Sequence, residues 1–274
     1  MRPDMGFLTK DEVLDRARSL TEAVGIPVVI DIDTGYGNAI HVEHFVRELL
    51  ITAPLVAGFH IEDQVFPKRC GHIDGKEILP IDEFAGKLRA AIAMQKRHNP
   101  DAVLIARTDA CNAVGGGIEE AIERSVRYSA EGADLVWAET STPDPAVIGA
   151  IIKGARAQNP KIVFAHNTSP SFTLAQWKTH AAALSDETLA KLGCKFRFGT
   201  YYLLLAEMIE GLKWVRRFVS AGATAATLEL RLAASWSEAE DIKELVGVGE
   251  HLKKERFYNA RARDTQKNSK GTKE

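Results

Sequence analysis

Six apolar, β-rich runs, each closed by polar or charged residues, recur between Ile26 and Thr200 and alternate with segments of helical periodicity. That alternation predicts a chain of repeated βα units. Thr9-Lys10-Asp11-Glu12 reads as a helix start, with Thr9 as the cap and Glu12 completing a capping box, for a helix to about Val24. Ile26 to Asp33 is the first strand, and a glycine-containing turn, Thr34 to Asn38, leads into a helix through Leu50. The second strand, 56 to 62, precedes a short cysteine-bearing loop and a helix from about Ile81 to Arg97. Ala102 to Asp109 is the third strand; the glycine run at 115–117 is a loop before a helix over Ile118 to Glu131. Ala133 to Thr140 is the fourth strand, with a helix after Pro145, and Lys161 to Asn167 is the fifth. One helical stretch is expected from Ala175 to Leu192, then a sixth strand from Cys194 to Thr200. From Tyr201 to Arg263 the pattern is mostly helical, and Ser235 to Tyr258 is a long amphipathic helix candidate with Ile242, Leu245, Val246, Val248 and Leu252 apolar among charges.

Polar groups stand at the carboxyl end of every predicted strand: Asp31 and Asp33, Glu62, Arg107, Glu139, Asn167 and Thr200. Buried strands that each deliver polar groups from one end fit an α/β fold of the (β/α)₈ TIM-barrel type, whose active site is built at that face. A doubly wound sheet would also gather its site at strand ends, but its glycine-rich phosphate-binding fingerprint is absent. Six strands are two short of a closed barrel of this type.

Composition narrows the picture. The chain has 274 residues, 45% hydrophobic and 26% charged, which is ordinary for a globular protein with one large domain. A formal net charge of -2 argues against nucleic acid or a membrane as partner. The three cysteines, Cys70, Cys111 and Cys194, are odd in number and far apart, so neither a disulfide framework nor a zinc site is expected, and a reducing, cytoplasmic setting fits. The N-terminus carries no apolar run resembling a signal peptide. Residues 261–274 form a basic tail expected to be flexible.

The chemistry is concentrated in FHIEDQVFPKRCGH, residues 59–72. Acids at a strand's end followed by a cationic loop with a thiol can hold a metal and an anionic substrate. Positive charge at Lys68, Arg69 and His72 favours the thiolate of Cys70.

Taken together, DIDTGYGN (31–38), IEDQVFPKRCGH (61–72), IARTDA (105–110), AETSTPD (138–144) and NTSPSF (167–172) resemble the isocitrate lyase/phosphoenolpyruvate mutase family. The resemblance implies a (β/α)₈ barrel, here lacking its first two strands, with extra C-terminal helices. It implies a barrel portion over 1–220, a helical segment over 221–260 that swaps between subunits, and a homotetramer. It implies a divalent cation, magnesium or alternatively manganese, held by Asp31, Asp33 and Glu62. The implied chemistry splits a 2-hydroxy acid into an oxo acid and a dicarboxylate through an aci-carboxylate, with Arg107 stabilising the charge. Cys70 then exchanges a proton with the intermediate's carbon, and His72 and Lys68 serve it. Gly71, Glu139, Asn167, Ser169, Ser171 and Thr200 match substrate-binding positions, and NTSPSF is most similar to the isocitrate lyase form. The alternatives are a 2-methylisocitrate lyase or related 2-hydroxy or 2-oxo acid lyase, and, from another class, a truncated dicarboxylate-binding or subunit-associating paralogue. Thr173-Leu174 replaces the family's usual Asn-Trp, the insertion of long isocitrate lyases is missing, and Met1 falls just beyond the first two strands, which carry a Ser-Gly element and a further acid. Trp137, Trp177 and Trp214 read as packing residues, and Cys111 and Cys194 as thiols without a role.

Overall fold

The computed structural model describes residues 3–169, 173–180, 184–234 and 248–258. Ser171, the helix candidate's Ile242, Leu245 and Val246, and the 261–274 tail therefore lie outside the described residues.

Helix α1, Lys10–Ala23, opens with the capping box read from sequence: Thr9 Oγ1 accepts from the Glu12 N–H, and Glu12 Oε2 accepts from the Thr9 N–H at 2.8 Å. It buries Val13, Leu14 and Ala17, one stripe at helical spacing. Strand β1 (Val28–Asp31), helix α2 (Ala39–Thr52), strand β2 (Val56–Glu62), helix α3 (Ile81–His98) and strand β3 (Val103–Thr108) follow. Helix α4 (Ile118–Glu131), strand β4 (Leu135–Ala138), helix α5 (Pro145–Gln158) and strand β5 (Phe164–Asn167) complete the alternation up to the motif at 167. The expected single helix beyond it is two, α6 (Leu174–His180) and α7 (Asp186–Leu192), before strand β6 (Cys194–Phe198). The reason is local: Ser185 caps a fresh start, its Oγ accepting from the Thr188 N–H at 3.2 Å.

The strands form one parallel sheet in the order β1-β2-β3-β4-β5-β6, curled toward a barrel. Strand alternation divides its side chains into two sets. Ile30, Phe59, Ile61, Leu104, Val136 and Phe164 pack outward with Phe45, Leu49 and Leu88 of the covering helices. Ile105, Trp137 and Ala165 pack inward with Val103, Leu135, Phe196 and Phe198. Burial of each large side chain stabilises the fold by roughly 1.5–3 kcal/mol. Ile105, Trp137 and Ala165 are followed, two residues on, by Arg107, Glu139 and Asn167, as His60 beside Trp137 is by Glu62, and the register pairs Glu62 with Arg107. That register gathers the strands' polar ends at one rim.

The chain divides into two compact units, residues 1–202 and 203–274. In the second, helices α8 (Tyr202–Ala221) and α9 (Ala223–Ala234) are joined by the Arg217–Glu229 ion pair, and α10 spans Val248–Tyr258. Among the described residues no helix is long and apolar enough to cross a membrane.

Candidate active site

A cavity of about 560 Å³ opens at the rim where the strands end. It is lined by Asp31, Asp33, Cys70, His72, Arg107 and Glu139, and also by Asn167, Thr200 and the segment from Pro3 to Leu8.

One wall is acidic. Asp31 ends β1, and its Oδ1 accepts from the Asp33 N–H at 2.8 Å, turning the chain so that Asp33 takes a positive φ of 47°. Aspartate tolerates that conformation because its side chain bonds locally. Tyr36 donates its hydroxyl to Asp33 Oδ2 at 3.1 Å. Glu62 is fully buried, and neither of its carboxylate oxygens completes a hydrogen bond, although Arg107 Nη1 stands 3.1 Å away. Burial pushes the Glu62 carboxyl well above its ordinary range against the pull of Arg107 and Lys68.

Lys68 is drawn into this wall. Its Nζ lies 2.6 Å from Asp4, 2.8 Å from Asp33 and 3.9 Å from Glu62. Burial alone would lower its pKa, but Glu62, Asp31, Asp33 and Asp4 hold it far above the usual lysine value. Arg69 turns away, donating to the Asp74 carbonyl at 2.9 Å. The expected cationic neighbourhood of Cys70 is thus corrected: Lys68 and Arg69 have other partners, because acids and a loop carbonyl offer each of them stronger contacts, and the cation beside the thiol is His72.

Cys70 Sγ is 3.6 Å from His72 Nδ1, and His72 Nε2 is 3.4 Å from Glu139 Oε1. Burial alone would lower the His72 pKa, yet the contacts with Cys70 and Glu139 raise it to about 9. Glu139 moves the opposite way: burial would raise it, and His72 and Arg107 hold it low. Asn167 Nδ2 donates to Glu139 Oε2 at 3.5 Å. Thr200 donates to Ser169 Oγ at 3.0 Å, with Asn167 Oδ1 at 3.4 Å. The structure therefore brings Cys70, His72, Glu139, Asn167, Thr200 and Ser169 into one polar chain. Gly71 has a steric role as well, since a Cβ there would stand 2.6 Å from Glu139 Cγ and 2.7 Å from Arg107 Nη2.

Sequence reasoning missed several participants. Asp4 enters through Lys68 and through its carbonyl, which accepts from the Cys70 N–H at 3.0 Å. His60 sits in the cavity's floor, 5.3 Å from the Trp137 ring, with Nδ1 3.6 Å from Asp31. Lys76 is fully buried and donates to the carbonyls of Gly71 and of Ile73, the latter at 3.1 Å. His60 stands inside a quoted motif, two residues before Glu62 on the same strand face, a period-two signal. A lone loop lysine such as Lys76 gives no comparable signal.

The residues fit a hard divalent cation in their chemistry. Asp31, Asp33 and Glu62 offer only oxygen, and both Glu62 oxygens are buried without a hydrogen bond. Among the described residues no three acids, histidines or cysteines already stand in a ligating arrangement, and the Lys68 ammonium lies among these carboxylates.

A curled parallel α/β sheet thus carries acids, a thiol and a buried arginine together at its carboxyl rim, the architecture of a barrel-type α/β fold. The phosphoenolpyruvate phosphomutase family model matches residues 2–194, and the chain belongs to this PEP mutase/isocitrate lyase family. It is 45% identical over 139 residues to 2,3-dimethylmalate lyase of Eubacterium barkeri, covering 51% of this chain and 46% of that protein. It is 36% identical over 200 residues to isocitrate lyase of Haloferax volcanii, covering 73% and 56%. It is 39% identical over 137 residues to 2-methylisocitrate lyase of Bacillus subtilis, covering 50% and 43%. The chain thus spans about half the length of the curated relatives it matches. Among solved structures it is similar to phosphoenolpyruvate phosphomutase from Streptomyces platensis subsp. rosaceus, with TM-score 0.78, 29% identity, and 93% of this chain and 82% of that one covered. It is also similar to phosphonopyruvate hydrolase in complex with oxalate and magnesium, with TM-score 0.72, 27% identity, and 93% and 81% covered.

Proposed function

We propose that the protein is a magnesium-dependent carbon–carbon lyase that cleaves a 2-hydroxy tricarboxylate, isocitrate in the first instance, into glyoxylate and succinate. The observation that carries this reading is the contact line Cys70–His72–Glu139 standing in one cavity with Arg107 and the acidic wall. Asp31, Asp33 and Glu62 would hold the cation, which supplies electrostatic stabilisation of substrate oxygens. Arg107 adds a fixed positive charge where the leaving fragment gains negative charge. As the C–C bond breaks, the substrate hydroxyl gives its proton to a carboxylate of the acidic wall. The electron pair of the broken bond stays on the dicarboxylate fragment as an aci-carboxylate, and the hydroxyl carbon becomes the carbonyl of the oxo acid. The Cys70 thiol then delivers its proton to the carbanionic carbon, leaving a thiolate beside the His72 imidazolium. The wall's proton returns to the Cys70 thiolate at the end of the cycle. The Asn167–Thr200–Ser169 group offers a neutral cradle for a carboxylate, and Ser171 completes it by resemblance.

A neighbouring reading is cleavage of 2-methylisocitrate or 2,3-dimethylmalate, favoured by the 45% identity to a dimethylmalate lyase and 39% identity to a 2-methylisocitrate lyase. Homo-oligomerisation belongs to the same proposal, and it is consistent with α8, which buries none of its side chains. The test offers isocitrate, 2-methylisocitrate and 2,3-dimethylmalate in parallel, with magnesium and with chelator, and measures glyoxylate and pyruvate. Glyoxylate from isocitrate supports the first reading. Pyruvate from either methylated acid keeps the mechanism and moves the substrate. Silence from folded protein on all three defeats the lyase reading and leaves a dicarboxylate-binding or subunit-associating role.

A further inference from the structure

Two fully buried aspartates, Asp63 and Asp109, play no part in the chemistry above, yet they join Arg107 to helix α4. Tyr128 donates its hydroxyl to Asp63 Oδ2 at 2.8 Å, and Arg124 Nη1 reaches the same oxygen at 3.2 Å. Arg124 is itself fixed, donating to the Tyr128 oxygen at 2.8 Å and to the Leu79 carbonyl at 2.9 Å. The other oxygen, Asp63 Oδ1, accepts from the backbone N–H of Asp109 at 3.0 Å. Asp109 then takes two donors from one guanidinium, Arg107 Nε at 2.9 Å and Nη2 at 3.0 Å.

A long side chain with four torsions has no reason to hold one pose in a cavity unless its planar fork is gripped. A bidentate carboxylate fixes both the position and the plane of a guanidinium, which a single charge does not. The third nitrogen, Nη1, is left toward Glu62 at 3.1 Å, and the guanidinium carbon lies 4.4 Å from the Trp137 ring centroid. The backbone that carries Asp109 is held in turn by Asp63, whose grip comes from α4.

We propose that Asp109 is a positioning residue for Arg107, and that the Tyr128–Arg124–Asp63 link anchors it to α4. Arg107 reaches the cavity in one orientation because the fork is set from behind. The inference rests on the lyase reading for its activity readout.

The test uses the full chain as wild type, Asp109→Asn, Arg107→Ala, the double variant and Tyr128→Phe. Each is assayed on whichever acid the wild type cleaves and titrated calorimetrically with oxalate in magnesium. Asp109→Asn is expected to lower kcat about 10- to 100-fold, as loss of an orienting partner does. KM should hardly move, because the effect falls on the charge that develops during bond breaking. In the Arg107→Ala background the same change should cost nothing further, since residues that act through one another are non-additive. Additive losses, or a lower melting temperature with kcat intact, overturn the proposal. Tyr128→Phe covers a failure of Asp109→Asn to fold: it should lower kcat by a smaller factor at unchanged KM, and an unaltered kcat overturns the anchor. If the wild type cleaves none of the acids, the lyase reading fails separately. The positioning role is then read from oxalate affinity and from a crystal structure of Asp109→Asn. A rotated guanidinium upholds it, and one left in place refutes it.

Discussion

Cys70 and His72 are two residues apart on one loop, and 3.6 Å between Sγ and Nδ1 places thiol and ring within a single proton transfer. Replacing the thiol by a far weaker acid, in Cys70→Ser, is expected to lower turnover by about 10²- to 10⁴-fold. Full activity in that variant would remove Cys70 from the mechanism. His72 makes the same pair sensitive to pH. Burial would lower its pKa, but Cys70 and Glu139 raise it to about 9 from an ordinary 6.5. A raised value means that its stabilising contribution is complete below the unfolded value and is lost as pH rises through the folded one. Stability and activity should both fall between pH 6.5 and about 9, with the activity limb near 9. A pH–rate profile and urea titrations at each pH check this, and the limb should disappear in His72→Gln. If the limb persists there, another group owns it.

The loop that carries these residues is shaped by groups that do no chemistry. Lys76 pins the carbonyls of Gly71 and Ile73, and Gly71 leaves room for Glu139 and Arg107. Lys76→Met leaves the Ile73 carbonyl without its lysine donor and the Gly71 carbonyl with only Ser141 Oγ at 3.2 Å, at a cost of about 1–3 kcal/mol per buried unsatisfied group. Denaturant unfolding should show the loss, with a larger fall in kcat than the stability change alone produces, because the loop carries Cys70 and His72. Stability equal to wild type would mean the lysine is a bystander. Elements of this kind mark the limit of what the chain discloses by its pattern. The strands and their polar ends were legible, because period-two burial and acids at strand ends are local signals. The α6–α7 break was visible only as Ser185, one serine among many in a helical pattern. The direction Lys68 takes depends on where β1 and β2 bring Asp33 and Glu62, which the run PKRCGH does not state. Asp109 stood in a quoted motif, but nothing in IARTDA states that its carboxylate faces Arg107 rather than solvent.

Across the whole molecule, the acidic wall gathers Asp4 from the N-terminal segment, Asp31 and Asp33 from the end of β1, and Glu62 from the end of β2. These groups meet only when the sheet has formed, so the folded chain presents them together and the unfolded chain does not. A cation bound by the folded state alone stabilises it by RT ln(1 + [L]/Kd), about 2.7 kcal/mol at a hundredfold excess over Kd. Magnesium should therefore raise the melting temperature in a dose-dependent way, chelator should reverse the rise, and Asp33→Asn should weaken it. Lys68 gives the sharper test. Its ammonium now neutralises this wall from a buried position, 2.8 Å from Asp33. Lys68→Met leaves the carboxylates facing one another, and like charges in a buried site repel strongly. Without metal the variant should melt below wild type, and with saturating magnesium it should recover most of the difference. The magnesium-induced shift is then larger in the variant than in the wild type. Equal shifts in the two proteins would show that lysine and metal do not share these acids, and the cation would have to be sought elsewhere on the rim.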